Sequence, residues 1–282
     1  MAEGYRLVAL DVDGTLKPRN GPVTTRVRVA IAAAGAAGVH VALATGRMFR
    51  STLPFAEALG LRTPIICNGG ATIRDPASGA ILYRQGIPLP LVRAVVVAAR
   101  ARGLSVAAYL DDDLRVERVS ADSPFAGYVA RAGAQVVDDH LEHLAVEPCH
   151  LAVVSDEART RGLVRELQEE FGSTLAVTSG HPLLAEIDSP GVSKGAALAH
   201  LASLLGVPRT GVLAIGDDWN DIAMLDYAGL GIAMGDAQPE VLAVADVVAP
   251  SADEDGVAWA LERFVLDGAV GRGHSGSTGG GE

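Results

Sequence analysis

The sequence predicts an α/β protein whose parallel sheet is interrupted by a second, α+β unit. Two observations carry this. Short apolar runs at residues 6–10, 39–44 and 64–67 alternate with helical periodicity over 23–37 and 48–59, which is the rhythm of βαβ units in a parallel sheet. That rhythm stops near residue 84 and returns after residue 188, with paired strands and turn signals between.

The elements follow in order. Runs at 71–74 and 80–84 flank Asp75–Pro76–Ala77–Ser78–Gly79 and read as a hairpin. A helix over 89–102 precedes strands at 105–110 and 114–119, paired around the acidic turn Asp111–Asp112–Asp113. A helix over 124–132, a strand at 135–137, a short helix over 139–144 and a strand at 150–155 come next. An amphipathic helix over 157–171 and strands at 175–178 and 183–187 close the block. The α/β pattern then resumes with a helix at 194–205, a strand at 212–215, a helix at 221–227, a strand at 230–233 and helices at 239–245 and 257–264. The Gly/Ser-rich tail from Gly268 is expected to be disordered. The expected layout is a discontinuous domain of residues 1–83 and 189–267, an inserted domain of 84–188, and a tail of 268–282.

Bulk properties narrow the function. The chain has 282 residues, 49% of them apolar, enough to bury a sizeable core. A formal net charge of −11 argues against nucleic acid or anionic membrane as the main partner. It leaves an anionic small molecule open, because a phosphate site needs only local positive charge. Cys67 and Cys149 are too few and too far apart for a disulfide scaffold or a zinc pattern. The N-terminus lacks a basic leader, and the apolar run 91–110 carries three arginines. Neither a signal peptide nor a membrane span is expected, and the expected compartment is the cytoplasm.

Four segments concentrate chemistry at strand ends or helix starts. The strand at 6–10 runs into Asp11, Asp13, Gly14 and Thr15. Ligands of open parallel sheets bind at such carboxyl ends, and two carboxylates one residue apart can divide attack from proton transfer. A calcium loop does not fit, since Gly14 comes too early and the twelfth position is Pro22. The second segment, Thr45–Gly46–Arg47, offers a hydroxyl and free amides before a helix, either an anion seat or a plain N-cap. In the third, Lys194 opens a helix, where its charge opposes the helix dipole; an anion nearby would explain it, and a plain surface lysine is the alternative. The fourth, Gly216–Asp217–Asp218–Trp219–Asn220–Asp221, is a second acidic cluster that could hold a hard cation with the first.

Taken in this order, DVDGTL, Thr45, Lys194 and GDDWND resemble the four motifs of the haloacid dehalogenase (HAD) superfamily. ATGR, CNGG, SKG and GDDWND together are similar to its Cof-type, class IIB branch. The resemblance covers nearly the whole chain short of the tail, and its first and fourth motifs are the most specific. It implies a Rossmann-like core carrying a C2B-type cap. The position of the insert, between CNGG and Lys194, agrees, since the short loop after the first motif leaves no room for a cap.

The implied activity is Mg2+-dependent hydrolysis of small phosphate monoesters through an aspartyl phosphate. Asp11 would be the nucleophile and Asp13 the general acid and base. Mg2+ would be held by the Asp11 carboxylate, the Asp13 backbone carbonyl and Asp217, with Asp221 supporting them. Thr45, Lys194 and Asn220 would hold phosphate oxygens, while Gly46, Arg47 and Asn68 would face the substrate; an ion pair is the structural alternative for Arg47. Trp219 would line the cleft or pack. His140, His143, His150 and His181 show no metal spacing and are expected at the surface or in the cap core. Gly70 departs from the family pattern, where Ala is usual, and this small-for-small exchange is expected to leave activity unchanged. Sugar phosphates are the default substrate, ahead of pyridoxal phosphate and nucleotide or flavin-precursor phosphates. A phosphomutase, or a binding protein retaining the fold, are the alternatives.

Overall fold

The structure, a computed structural model, describes residues 4–117, 125–131, 133–140 and 144–267. Its central sheet holds five parallel strands: β1 (Leu7–Leu10), β2 (His40–Leu43), β12 (Val212–Gly216), β13 (Leu230–Ala233) and β14 (Val247–Val248), in the order β14–β13–β12–β1–β2. Strand side chains alternate between faces. Val8, Leu10, Leu213 and Ile215 therefore pack with the helices Thr25–Ala36 and Gly256–Leu261 on one side. Leu7, Ala9, Val212 and Ala214 pack with the helices Lys194–Leu204 and Ile222–Tyr227 on the other. Burial on both faces explains why these strands read as unbroken apolar runs.

A second sheet of six strands stands apart: β6 (Ser105–Leu110), β7 (Asp113–Glu117), β8 (Gln135–Val137), β9 (His150–Val154), β10 (Ala176–His181) and β11 (Leu184–Asp188). Their order is β10–β11–β9–β6–β7–β8, antiparallel except for the β7–β8 pair. The helices Leu89–Ala101 and Glu157–Phe171 cover one face through Val95, Val96, Leu163 and Leu167. The opposite face carries Ala107, Leu114, Val116, Ala152, Val154 and Leu184, and Met48 of the first unit is seated on it.

One strand changed its place. The 64–67 run, expected in the parallel sheet, is β3 (Ile65–Cys67) of a three-stranded antiparallel sheet with β4 (Thr72–Arg74) and β5 (Ile81–Arg84). It pairs with the chain just after β2 through a parallel bridge between Ala44 and Ile66. The cause is the turn after it: Asn68, Gly69 and Gly70 have φ of 51°, 65° and 105°, so the chain folds back instead of crossing over.

Two details were not legible. β14 is too short to show a period, and the last helix passes into a π-helical stretch at Glu262–Leu266. Half of the short helix expected over 139–144, at residues 141–143, lies outside the described residues, as do residues 118–119, 124 and 132 of two other expected elements and the tail from 268.

The two connections between the units are bonded to each other. Ser189 Oγ donates to the Gly86 carbonyl at 2.7 Å and Gln85 Nε2 to that of Pro190 at 3.0 Å. Among the described residues, no helix is long and apolar enough to cross a membrane.

Candidate active site

The pairing of β1 with β12 brings the first and fourth motifs together, with the Asp11 N–H donating to the Ile215 carbonyl at 3.1 Å. Asp11, Asp217 and Asp221 are all buried, and one carboxylate oxygen from each lies within 4.8 Å of the others. Two glycines permit this approach. A Cβ on Gly14, whose φ is +97°, would fall on the Asp217 carboxylate, and one on Gly216 would collide with Asp221.

Lys194 enters from the first turn of its helix, whose N-cap Ser193 accepts from Ala196 N–H. Its Nζ lies 2.6 Å from Asp11 Oδ1 and 2.6 Å from Asp221 Oδ1, with 1% of the residue exposed. The helix dipole disfavours this ammonium and the two carboxylates account for it. Asp221 Oδ2 accepts from the N–H groups of Asp217 and Asp218, both at 3.0 Å, which fixes the loop. Asp217 accepts from the Thr15 hydroxyl and from Arg19, both at 2.8 Å.

The cluster is short of positive charge. Burial lifts the Asp11 carboxyl above the usual carboxylate range; Lys194 opposes this, but Asp221 and Asp217 reinforce it. Burial likewise raises Asp217 to about 6, with Asp221 adding to the shift against Thr15 and Arg19. Burial also works against the Lys194 ammonium, yet Asp11 and Asp221 more than offset it and keep it protonated. Three buried carboxylates sharing one ammonium suit a hard divalent cation, whose ligands are oxygens.

A pH dependence follows. The folded-state pKa of Asp217 lies above its unfolded value, so the folded protein binds more protons between about pH 4 and 6. Stability from this group is complete below that window and lost as pH rises through it. Without divalent metal, Asp217→Asn should therefore melt at a higher temperature than wild type at pH 7.5, with the gap closing by pH 4. A constant gap across that range would contradict the assignment.

The second motif sits beside the fourth. Thr45 is buried, and its Oγ1 accepts the Arg47 N–H at 3.2 Å. A Cβ built on Gly46 would lie 3.8 Å from Asn220 Nδ2, and Asn220 is exposed on the Trp219–Asp221 turn. Arg47 pairs with Asp13 through both Nε (2.5 Å) and Nη2 (2.7 Å), and Lys17 lies 3.2 Å from the same carboxylate. Burial raises the Asp13 pKa, but Arg47 and Lys17 outweigh it and hold the group below the usual range. Asn68 Nδ2 donates to Thr72 Oγ1 at 3.2 Å and to the Asp111 carbonyl at 3.5 Å. Trp219 is half exposed and donates to Glu240.

His140 is fully buried, with Nε2 at 2.9 Å from the Val106 carbonyl, and His150 pairs with Asp188. His143 and the side chain of His181 lie outside the described residues. Cys67 and Cys149 are buried and free.

Gly70, expected to leave activity unchanged, stands where the backbone leaves no room for the Ala usual in the family pattern. Its φ is +105°, and a Cβ there would collide with the Ser193 carbonyl, at the cap of the helix that carries Lys194. Gly70→Ala should cost about 1–3 kcal/mol of stability and lower kcat by displacing Lys194. Unchanged melting and kinetics would show that the backbone accommodates it.

Several contributors gave no local signal. Thr15, Lys17 and Arg19 lie in or after the first motif, but only the fold shows which acids they meet. The same holds for the β6–β7 turn. Asp112 Oδ1 accepts the Arg50 N–H at 2.8 Å, capping the helix Phe49–Ala58, whose own N-cap Met48 has no capping side chain. Asp112 also pairs with Arg74, and Asp111 with Arg84 at 3.0 Å. Asp112→Ala should remove about 0.5–2 kcal/mol of docking between the units. Faster proteolysis at the connections and a raised KM are the expected signs; unaltered proteolysis would assign the contact no role in docking.

Sheet topology, strand-end carboxylates and the buried lysine define the class, a HAD-type hydrolase on a parallel, helix-covered sheet. The profile of the haloacid dehalogenase-like hydrolase family matches residues 8–261, and the chain belongs to that family. It is 29% identical over 261 residues to the 5-amino-6-(5-phospho-D-ribitylamino)uracil phosphatase YcsE of Bacillus subtilis, covering 93% of this chain and 96% of that one. The structure of BT1666, a HAD phosphatase from Bacteroides thetaiotaomicron, superposes with a TM-score of 0.81 at 30% identity, covering 93% of this chain and 95% of that one. The HAD subclass IIB sugar phosphatase BT4131 shares the fold at 22% identity with a TM-score of 0.78, covering 92% and 98% of the two chains. The second sheet thus corresponds to the cap of this fold.

Proposed function

We propose that the protein is a Mg2+-dependent phosphatase that hydrolyses small phosphate monoesters through phosphorylation of Asp11. The observation that carries this reading is Lys194 Nζ, buried and held at 2.6 Å between Asp11 and Asp221 beside Asp217.

In this mechanism Asp11 attacks phosphorus in line as the bond to the leaving oxygen breaks. Asp13 delivers a proton to that oxygen, then takes one from the water that hydrolyses the aspartyl phosphate. Lys194, Thr45 and Asn220 hold the non-bridging oxygens, which is mainly positioning and charge neutralisation. Asp13 can carry a proton only when Arg47 and Lys17 relax their hold on it. An incoming phosphate, placed by Gly46 and Arg47, would draw that guanidinium away. Asp11, Asp217 and Asp221, with the Asp13 backbone carbonyl, would hold Mg2+, which when bound neutralises charge on the transferring phosphoryl group.

Residues 84–188 would act as a cap on a core of 1–83 and 189–267, turning at 84–88 and 188–192. Asn68 would sense closure through Asp111. The class of substrate is a small phosphorylated metabolite in the cytoplasm. Phosphate on a sugar or sugar-alcohol chain is favoured by the relative named for a phospho-ribityl substrate.

Inorganic phosphate released by the purified protein from a panel of phosphate esters, with and without Mg2+, tests the proposal. Metal-dependent release from sugar or polyol phosphates is expected. No release from any ester in the presence of metal would refute it.

A further inference from the structure

We infer that Arg19 is a displaceable internal counter-ion of the metal-binding carboxylates, holding Asp217 in the metal-free protein and weakening cation binding by competition. The inference rests on the reading of Asp11, Asp217 and Asp221 as a metal site. Arg19 Nη2 lies 2.8 Å from Asp217 Oδ2 and 3.2 Å from Asp218 Oδ2. The other oxygen of Asp217, Oδ1, is taken by the Thr15 hydroxyl. The guanidinium thus sits on the carboxylate that a cation would share with Asp11 and Asp221.

The two cations at this cluster are built differently. Lys194 has 1% of its side chain exposed and is locked between two acids. The Arg19 side chain is 58% exposed and reaches in from solvent to an acid whose own side chain is only 6% exposed. It also has somewhere to go. A cavity of 480 Å³ opens beside it, lined among others by Asn20, Thr24, Asp236 and Asp253. Asp236 and Asp253 are exposed carboxylates that can receive the guanidinium when it leaves.

A divalent ion and a guanidinium on one carboxylate repel each other strongly in a partly buried site. Binding the ion must therefore eject Arg19, and the lost Arg19–Asp217 pair is subtracted from the affinity. The device keeps a buried acid partnered in the empty protein, at the expense of weaker metal binding.

Titration calorimetry with MgCl2 on the metal-free full-length protein, together with thermal melting, tests this. Arg19→Met keeps the aliphatic stem and should bind Mg2+ about tenfold more tightly or better, a difference of about 1.4 kcal/mol or more. Metal-free Arg19→Met should melt below wild type, because Asp217 has lost its partner, while the two proteins melt together at saturating Mg2+. Arg19→Gln keeps a hydrogen-bond donor without the charge and should also tighten binding. Wild-type affinity in both variants overturns the inference and leaves the metal site standing, provided Asp217→Asn weakens binding. Absence of Mg2+ binding in wild type and both variants overturns the metal-site reading and this inference with it.

Discussion

Replacing Asp11 by Asn should lower kcat by about 10⁴-fold or more on every ester, the scale of removing a nucleophile from a cooperating set. The substitution keeps the size of the side chain and an oxygen for Lys194, so the geometry around it survives. What it removes is the attacking oxygen's charge. Because Asp11 is one of three buried, mutually repelling carboxylates, its neutralisation should leave the metal-free fold at least as stable as wild type at neutral pH. Loss of activity with an undiminished melting temperature is therefore the expected pair of results. Acid-quenched protein incubated with substrate should carry phosphate on residue 11 in the wild type and nowhere in the variant. A variant that still releases phosphate at a tenth of the wild-type rate would remove Asp11 from the chemistry.

The second large effect is on the fold itself. Lys194→Met takes the single ammonium from between two buried carboxylates, and breaking such a buried pair costs about 3–5 kcal/mol. Domains of ordinary stability hold about 5–15 kcal/mol in total, so this variant sits near unfolding at neutral pH. The sign of its pH dependence is distinctive. Burial already raises the Asp11 pKa, and without Lys194 to oppose it the folded protein keeps a proton on Asp11 to higher pH than the unfolded chain does. Its deficit relative to wild type should then shrink as pH falls towards about 4. Divalent metal should restore part of the stability, because it supplies charge to the same acids, but not the activity. Denaturant titrations at pH 4.5 and 7.5, with and without Mg2+, measure both effects. A deficit independent of pH would mean that Lys194 matters through its packing and not through its charge.

How much of this was legible depends on whether a signal is local. Asp11, Lys194, Asp217 and Asp221 stood out because apolar strands end beside them or a helix begins on them, and such boundaries are written in neighbouring residues. The helix Glu157–Phe171 was equally plain, with Asp156 capping it and Leu163, Leu167 and Phe171 on its buried stripe. Partner choice was not legible. Arg47 meets Asp13, Arg19 meets Asp217 and Asp112 meets the amide of Arg50 across separations of 34, 198 and 62 residues. The direction of β3 was missed for a related reason. It is set by three consecutive positive φ values at Asn68–Gly70, and Gly69 and Gly70 there could equally have read as a flexible loop.

The docking of the cap has a consequence for how such a protein can diversify. Beyond the bonds at the two connections, Asp111 and Asp112 of one tight turn at the end of the sheet tie it to the core. The face turned towards the core is apolar, with Ala107, Ala152 and Leu184 among its side chains, and Met48, an unbranched thioether that adapts to varied neighbours, rests on it. The polar ties and the apolar face are therefore written in different residues. If this unit is the lid proposed above, mutations on that face would reshape the leaving-group pocket without unfastening it, so new substrates could be acquired in small steps, each through a folded and closable intermediate.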